Sequence, residues 1–155
     1  MSKSIHQRGR ESGTATMELA VALPLLLLVL MATAEFGRML SQYDALNKAV
    51  RDGARYLAAN ALAAGGTTGV VTITPALTTA TKNLVVTGKT TGAGTALLPN
   101  LTAGNVTVAN LGNGYVSVSA SYPYVPMLGA RLPTFGNGSV NTNVTLNAST
   151  VMRPL

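Results

Sequence analysis

The chain carries an apolar run close to its N-terminus, and one acidic residue stands at the edge of that run. Leu19 to Ala34 contains 16 residues without a charge, and Thr14 to Met17 bring the segment close to the roughly 20 residues that a transmembrane helix needs. Glu18 interrupts the segment. A carboxylate near a bilayer core costs about 2 to 3 kcal/mol even on permissive insertion scales. We therefore expect a membrane helix and a functional role for Glu18.

The residues before the run form a polar, mostly basic leader. Residues 1–13 contain three Lys or Arg residues against one acidic residue, and they end in Gly13. Cutting the bond between Gly13 and Thr14 would create an amino group about one helical turn from Glu18. A cut after Gly9 would instead leave Thr14, which is not an acid, as the fifth residue of the mature chain. We therefore predict processing between Gly13 and Thr14.

Two other interpretations of this segment remain open. A secretory signal peptide would place a small-residue cut site after the apolar run, near Thr33, but the helical pattern continues beyond that point. Glu18 also complements the positive end of a helix dipole, an effect of about 0.3 to 1 kcal/mol. That effect does not account for the adjacent basic leader and Gly13, so we favour a role in processing.

These features resemble a type IV prepilin, and three further motifs make the resemblance narrower. Ala22-Leu23-Pro24-Leu25 lies within the apolar run, and two motifs follow it. Together they resemble the TadE-like pseudopilins of the tight-adherence (Tad) pilus system, closely over about the first 60 residues. One departure is Leu19, where the family often has Phe. The motif residues after the run are Glu35, Phe36, Gly37, Arg38, Arg51, Gly53, Ala54 and Arg55.

The resemblance implies an α+β fold, in which a long N-terminal transmembrane and stalk helix packs on a small antiparallel β-sheet. It also implies that a prepilin peptidase removes the leader and that Glu18 neutralises a free N-terminus during assembly. The implied partners are the lipid bilayer, other Tad pilins or pseudopilins and the inner-membrane assembly platform. The protein would support assembly or initiation of an adhesive pilus. It would span the bacterial inner membrane once, with its C-terminal domain outside the cytoplasm, or enter the extracellular pilus.

Helical periodicity continues well past the apolar run. A stripe at helical spacing runs through Leu40, Tyr43, Leu46 or Asn47, Val50, Ala54 and Leu57, and Gly65-Gly66 is a terminator. A helix over residues 14–64 is about 75 Å long, far more than a bilayer requires, so its second half must pack against protein.

Three residues within the predicted helix are unusual helix formers. Pro24 removes a backbone donor and predicts a bend. Gly37 and Gly53 each weaken a helix by about 1 kcal/mol relative to Ala, which indicates either close helix contact in an assembly or tolerated defects.

The remaining residues, 65–155, predict a small β-rich domain. Ala76 to Val86 follows Pro75 and predicts a second helix that ends at Gly88, with a loop from there to Asn105. Residues 106–110 and 115–122 flank a Gly-Asn-Gly turn and predict a hairpin, and residues 140–151 alternate as a third strand. We expect the three strands to form an antiparallel sheet that covers the stalk helix.

Composition excludes several classes of function. His6 is the only histidine, cysteine is absent, and no acidic residue follows Asp52. These counts leave no triad, metal cluster or catalytic carboxylate pair in the C-terminal domain, so we expect no enzyme, no cofactor and no metal. The net charge of +6 is thinly spread, which argues against nucleic acid as a partner.

Two alternatives stand beside the Tad interpretation. The first is an uncleaved membrane-anchored surface domain that binds a ligand or carbohydrate through its Asn- and Thr-rich face. The second is a minor pseudopilin of a general secretion system, with the same fold and processing but other partners.

Overall fold

The computed structural model describes residues 11–62, 71–127, 129, 131–133, 138–141 and 143–154. The apolar run and the stalk form one helix, α1 (Glu11–Asn60). The chain divides into two compact units, Met1–Gly37 and Arg38–Leu155, and the second unit includes the later part of α1. The predicted domain limits at residues 13 and 64 stay predictions, and the expected terminator Gly65-Gly66 lies outside the described residues.

The described part of the first unit is helix throughout. From Gly13 to Ala34 every residue is exposed except Ala22, which is half-buried. Pro24 lies inside α1, and the helix is continuous through it. A bend at Pro24 stays a prediction. Because these apolar side chains have no covering within their own unit, a bilayer or a partner must supply it.

In the second unit, α1 buries one stripe of small and apolar residues. The prediction of burial is confirmed for Leu46, Val50, Ala54 and Leu57 but is wrong for Leu40 and Tyr43, which are exposed. The covered line runs through Met39, Gln42, Leu46, Ala49 and Gly53. Further along the helix the covered face is wider and includes Val50, Ala54 and Leu57, whereas near Leu40 and Tyr43 only the side of Met39 and Gln42 is covered.

A second helix, α2 (Pro75–Thr87), packs on this stripe. Thr74 caps its start, where the Thr74 Oγ1 accepts a hydrogen bond of 3.1 Å from the Leu77 N–H. Gly88 ends it with a left-handed φ of 73°. The predicted helix and its terminator are therefore confirmed.

The described residues after α2 form five strands: β1 (Val106–Gly112), β2 (Tyr115–Tyr124), β3 (Arg131–Pro133), β4 (Ser139–Asn141) and β5 (Val144–Met152). The main sheet is antiparallel, in the order β1-β2-β5. Asn113 and Gly114 both have positive φ in the β1–β2 turn, as a tight hairpin requires. The predicted hairpin is thus confirmed, and the predicted third strand over 140–151 is confirmed from Val144 onward but wrong at its start. Its first part, β4, pairs with β3, and only β5 joins the main sheet.

One face of the main sheet closes the core. Alternate residues of β2 are buried from Val116 to Tyr124, and they form one cluster with the α1 stripe and with Val85 of α2. The expected α+β fold, a long helix with a small antiparallel sheet, is therefore confirmed.

Candidate membrane anchor and assembly segment

Within the described residues, one helix is long and apolar enough to cross a membrane, and it is α1. Its apolar window lies near the N-terminus, and none of that window is buried by the chain itself. The segment therefore fits a single-pass membrane anchor.

The predicted processing site lies at the start of α1. Gly13 is in the first turns of the helix, and a Cβ added to it would have no atom within 4 Å. Packing within the chain therefore gives no reason for a glycine at this position. Thr14 and Glu18 are four residues apart in the same continuous helix, so they lie on one side of it, about 6 Å apart along the axis. Their roles in processing and assembly stay predictions.

The residues of the motif after the apolar run differ in solvent exposure. Glu35 and Arg38 are half-buried, whereas Phe36 and Gly37 are exposed. A Cβ on Gly37 would again meet nothing within 4 Å. Neither Phe36 nor Gly37 is therefore explained by the core of this chain.

The second motif places a glycine at the contact of α1 with α2. A Cβ on Gly53 would lie 2.5 Å from Cγ2 of Val85, closer than real Cβ contacts come. Ala54 is fully buried beside it, while Arg51 and Arg55 are exposed. The close helix contact expected for Gly53 thus occurs within this chain, against α2.

A polar link joins the later part of α1 to the sheet. The Tyr122 hydroxyl donates a hydrogen bond of 3.0 Å to Oε1 of Gln42. Burial raises the pKa of Tyr122, and the positive charge of Arg38 partly offsets that rise. The structure therefore brings the predicted motif residue Arg38 close to Tyr122.

The structural role of Gln42 was not predicted from the sequence, because this polar residue interrupts an apolar stripe. Gln42 lies four residues before Leu46 and therefore on the same face of the helix. This spacing could have indicated that Gln42 is on the covered side. A polar residue on a buried face needs a partner, which Tyr122 supplies.

The acidic residues of the chain are confined to one helix. All five acidic residues of the chain lie on α1, and the described residues contain no group of three or more His, Cys, Asp or Glu that could hold a metal. The candidate site is therefore a helix surface.

Comparison with known proteins locates the similarity on this helix. The family model of TadE-like proteins matches residues 13–55. The match begins at Gly13, includes the apolar run and ends at Arg55, so the predicted resemblance is confirmed there. No curated protein and no solved structure gave a significant match. Over residues 13–55, which are less than half of the chain, the protein is similar to TadE-like proteins.

Proposed function

We propose that the chain is a minor pilin or pseudopilin that supports assembly or initiation of an adhesive Tad pilus. The observation that carries the proposal is the family match itself, which starts at the glycine predicted to precede the cut. The same residues form a helix whose apolar side chains its own fold leaves uncovered. Both observations are what a subunit that assembles through α1 requires.

Processing would give Glu18 its partner. A prepilin peptidase cuts after Gly13, and the new ammonium group of Thr14 lies one turn before the Glu18 carboxylate. As helices bundle away from water, an unpaired carboxylate becomes costly, whereas a paired one is tolerated. Glu18 therefore neutralises the N-terminus of its own chain or of a neighbouring subunit.

The localisation and the partners of the protein follow from assembly through α1. The protein spans the bacterial inner membrane once, with its C-terminal unit outside the cytoplasm, and passes from there into or beneath the pilus. Its partners are the peptidase, other Tad pilins or pseudopilins, the assembly platform and the lipid bilayer. It acts as a substrate and a structural subunit, not as an enzyme, and it binds no nucleic acid.

The mature N-terminus tests the proposal. Intact-mass and N-terminal peptide mass spectrometry would be run on membrane-extracted protein from cells with and without the prepilin peptidase. We expect a start at Thr14 that depends on the peptidase, which leaves 142 of the 155 residues. Gly13→Leu should block the cut, whereas the matched change Gly9→Leu should not. A start at Met1 or Ser2 in both strains would instead support the uncleaved, membrane-anchored binding domain.

A further inference from the structure

The main sheet has an exposed face that carries no charge. β1, β2 and β5 contain 7, 10 and 9 residues, and none of these residues is charged. Surfaces of soluble domains usually carry charged side chains on about a quarter to a third of their positions. We call the side opposite the core the outer sheet face and define it by Thr107, Ser119, Ser121, Asn147, Ser149 and Tyr115.

Strand register arranges these polar side chains in rows. Thr107 pairs with Ser119, and Ser119 pairs with Ser149, which gives one row of hydroxyl groups across all three strands. In the next row, the Ser121 hydroxyl donates a hydrogen bond of 2.7 Å to Oδ1 of Asn147. Hydroxyl and amide groups both donate and accept hydrogen bonds. The face therefore presents both hydrogen-bonding functions without any charge.

An aromatic ring stands at one end of the same face. Tyr115 is 44% exposed, and exposed Val151 is on the same side of the sheet, since it pairs with Ser117 of β2. These two side chains add apolar surface to the hydroxyl rows. A sugar has the matching composition, since its ring offers an apolar face and its rim offers hydroxyl groups.

The size of the face argues against a protein partner. Three strands about 4.8 Å apart and about nine residues long cover roughly 14 by 30 Å, or roughly 400 Å². A stable protein interface buries about 800 Å² on each partner, and its strongest contacts are usually Trp, Tyr or Arg. Tyr115 is the only such anchor on the defined face. A linear polymer of single-chain width fits this strip better than a second copy does.

The absence of charged residues in these strands also indicates which class of polymer the face would bind. Nucleic acids and anionic lipids are held mainly by Lys and Arg contacts to phosphate, and the three strands contain neither residue. We propose that the outer sheet face binds a neutral polysaccharide, with Tyr115 stacking on a sugar ring and the Ser, Thr and Asn rows bonding its hydroxyl groups. This site is separate from α1 and does not depend on processing of the leader.

Retention on insoluble neutral polymers tests the proposal. The full chain would be held in lipid nanodiscs, so that no glycoside detergent competes, and mixed with cellulose, chitin and amylose beads. We expect retention on at least one polymer, with equal retention at about 0.1 M and about 1 M NaCl because no ion pair is involved.

Matched variants assign the binding to the face. Tyr115→Ala should weaken retention about tenfold, as the loss of one anchor does, whereas Tyr115→Phe should keep it. Tyr43→Ala changes an exposed tyrosine of α1 and should have no effect. Ser149→Asp should weaken retention, and Ser41→Asp should not. The proposal is overturned if no polymer retains the protein, or if Tyr115→Ala and Ser149→Asp both bind as the unmodified chain does.

Discussion

Gly53 of α1 lies so close to Val85 of α2 that a Cβ on Gly53 would stand 2.5 Å from the valine Cγ2. Only a hydrogen atom fits between the two helices at this point. Gly37, which is in the same helix, has no such neighbour within 4 Å of an added Cβ. The two glycines therefore form a natural pair for comparison.

Gly53→Ala should destabilise the second unit. Alanine improves helix propensity by about 1 kcal/mol, but overpacking typically costs about 1 to 3 kcal/mol, so we expect a net loss of about 1 kcal/mol. Chemical unfolding followed by circular dichroism would measure it. Gly37→Ala should be neutral or stabilising by up to about 1 kcal/mol. Equal effects of the two variants would contradict the packing seen at Gly53.

Shortening Val85 should partly relieve the clash. In a double-mutant cycle, Val85→Ala alone should cost stability by opening a cavity, yet its cost should be smaller when Gly53 is already alanine. The coupling energy between the two changes should be favourable and about 0.5 kcal/mol or more. Simple additivity would show that the two positions do not touch.

Tyr122→Phe should cost about 0.5 to 1.5 kcal/mol of unfolding free energy. The change removes the hydrogen bond to Gln42 and keeps the buried ring, which is 1% exposed. Tyr115→Phe, on the same strand but exposed, should change stability by less than about 0.5 kcal/mol. A null result for both variants would mean that the bond to Gln42 contributes nothing to stability.

Stability should fall at alkaline pH, and part of that fall should depend on Tyr122. Burial raises the pKa of Tyr122 above the ordinary value of 10.0, so the folded chain keeps a proton that the unfolded chain loses. This contribution to stability is fully present below about pH 10 and is lost as the pH rises through the raised pKa. Unfolding of the unmodified chain and of Tyr122→Phe would be compared between about pH 8 and pH 11. The difference between them should shrink at the alkaline end.

Glu18→Ala should impair assembly without affecting the fold. Glu18 is exposed in the first unit, so the unfolding free energy of the second unit should stay within about 0.5 kcal/mol. Pilus formation should drop because the Thr14 ammonium group loses its partner. Asp44→Ala, an exposed acid later in α1, provides the control. Normal pilus formation by Glu18→Ala would remove the role proposed for this carboxylate.

The sequence predicted the elements whose limits depend on a few neighbouring residues. Pro75 and Gly88 delimit α2, and the Gly-Asn-Gly turn sets the hairpin, because both features restrict the backbone itself. The helix in the apolar run follows from its length and composition. The candidate site could be predicted to the same extent, since its residues lie along this one helix.

Features that depend on tertiary contacts could not be predicted from the local sequence. Leu40 and Tyr43 continue the helical pattern of their buried neighbours, and their exposure depends on which side of α1 is covered by α2 and the sheet. Val140 and Val144 continue one alternating pattern, yet they belong to strands in different sheets. The contact between Gly53 and Val85 depends on how α2 packs against α1, which the local sequence does not determine.

The uncharged sheet has a consequence for tolerance of acid. Tyrosine is the only ionisable side chain in β1, β2 and β5, and its protonated form carries no charge. Proteins commonly unfold in acid because paired carboxylates take up protons and buried histidines become charged. These strands contain no such group, so acidification leaves the electrostatic state of the sheet unchanged. The pairing of β1, β2 and β5 should therefore tolerate a change from neutral to strongly acidic surroundings.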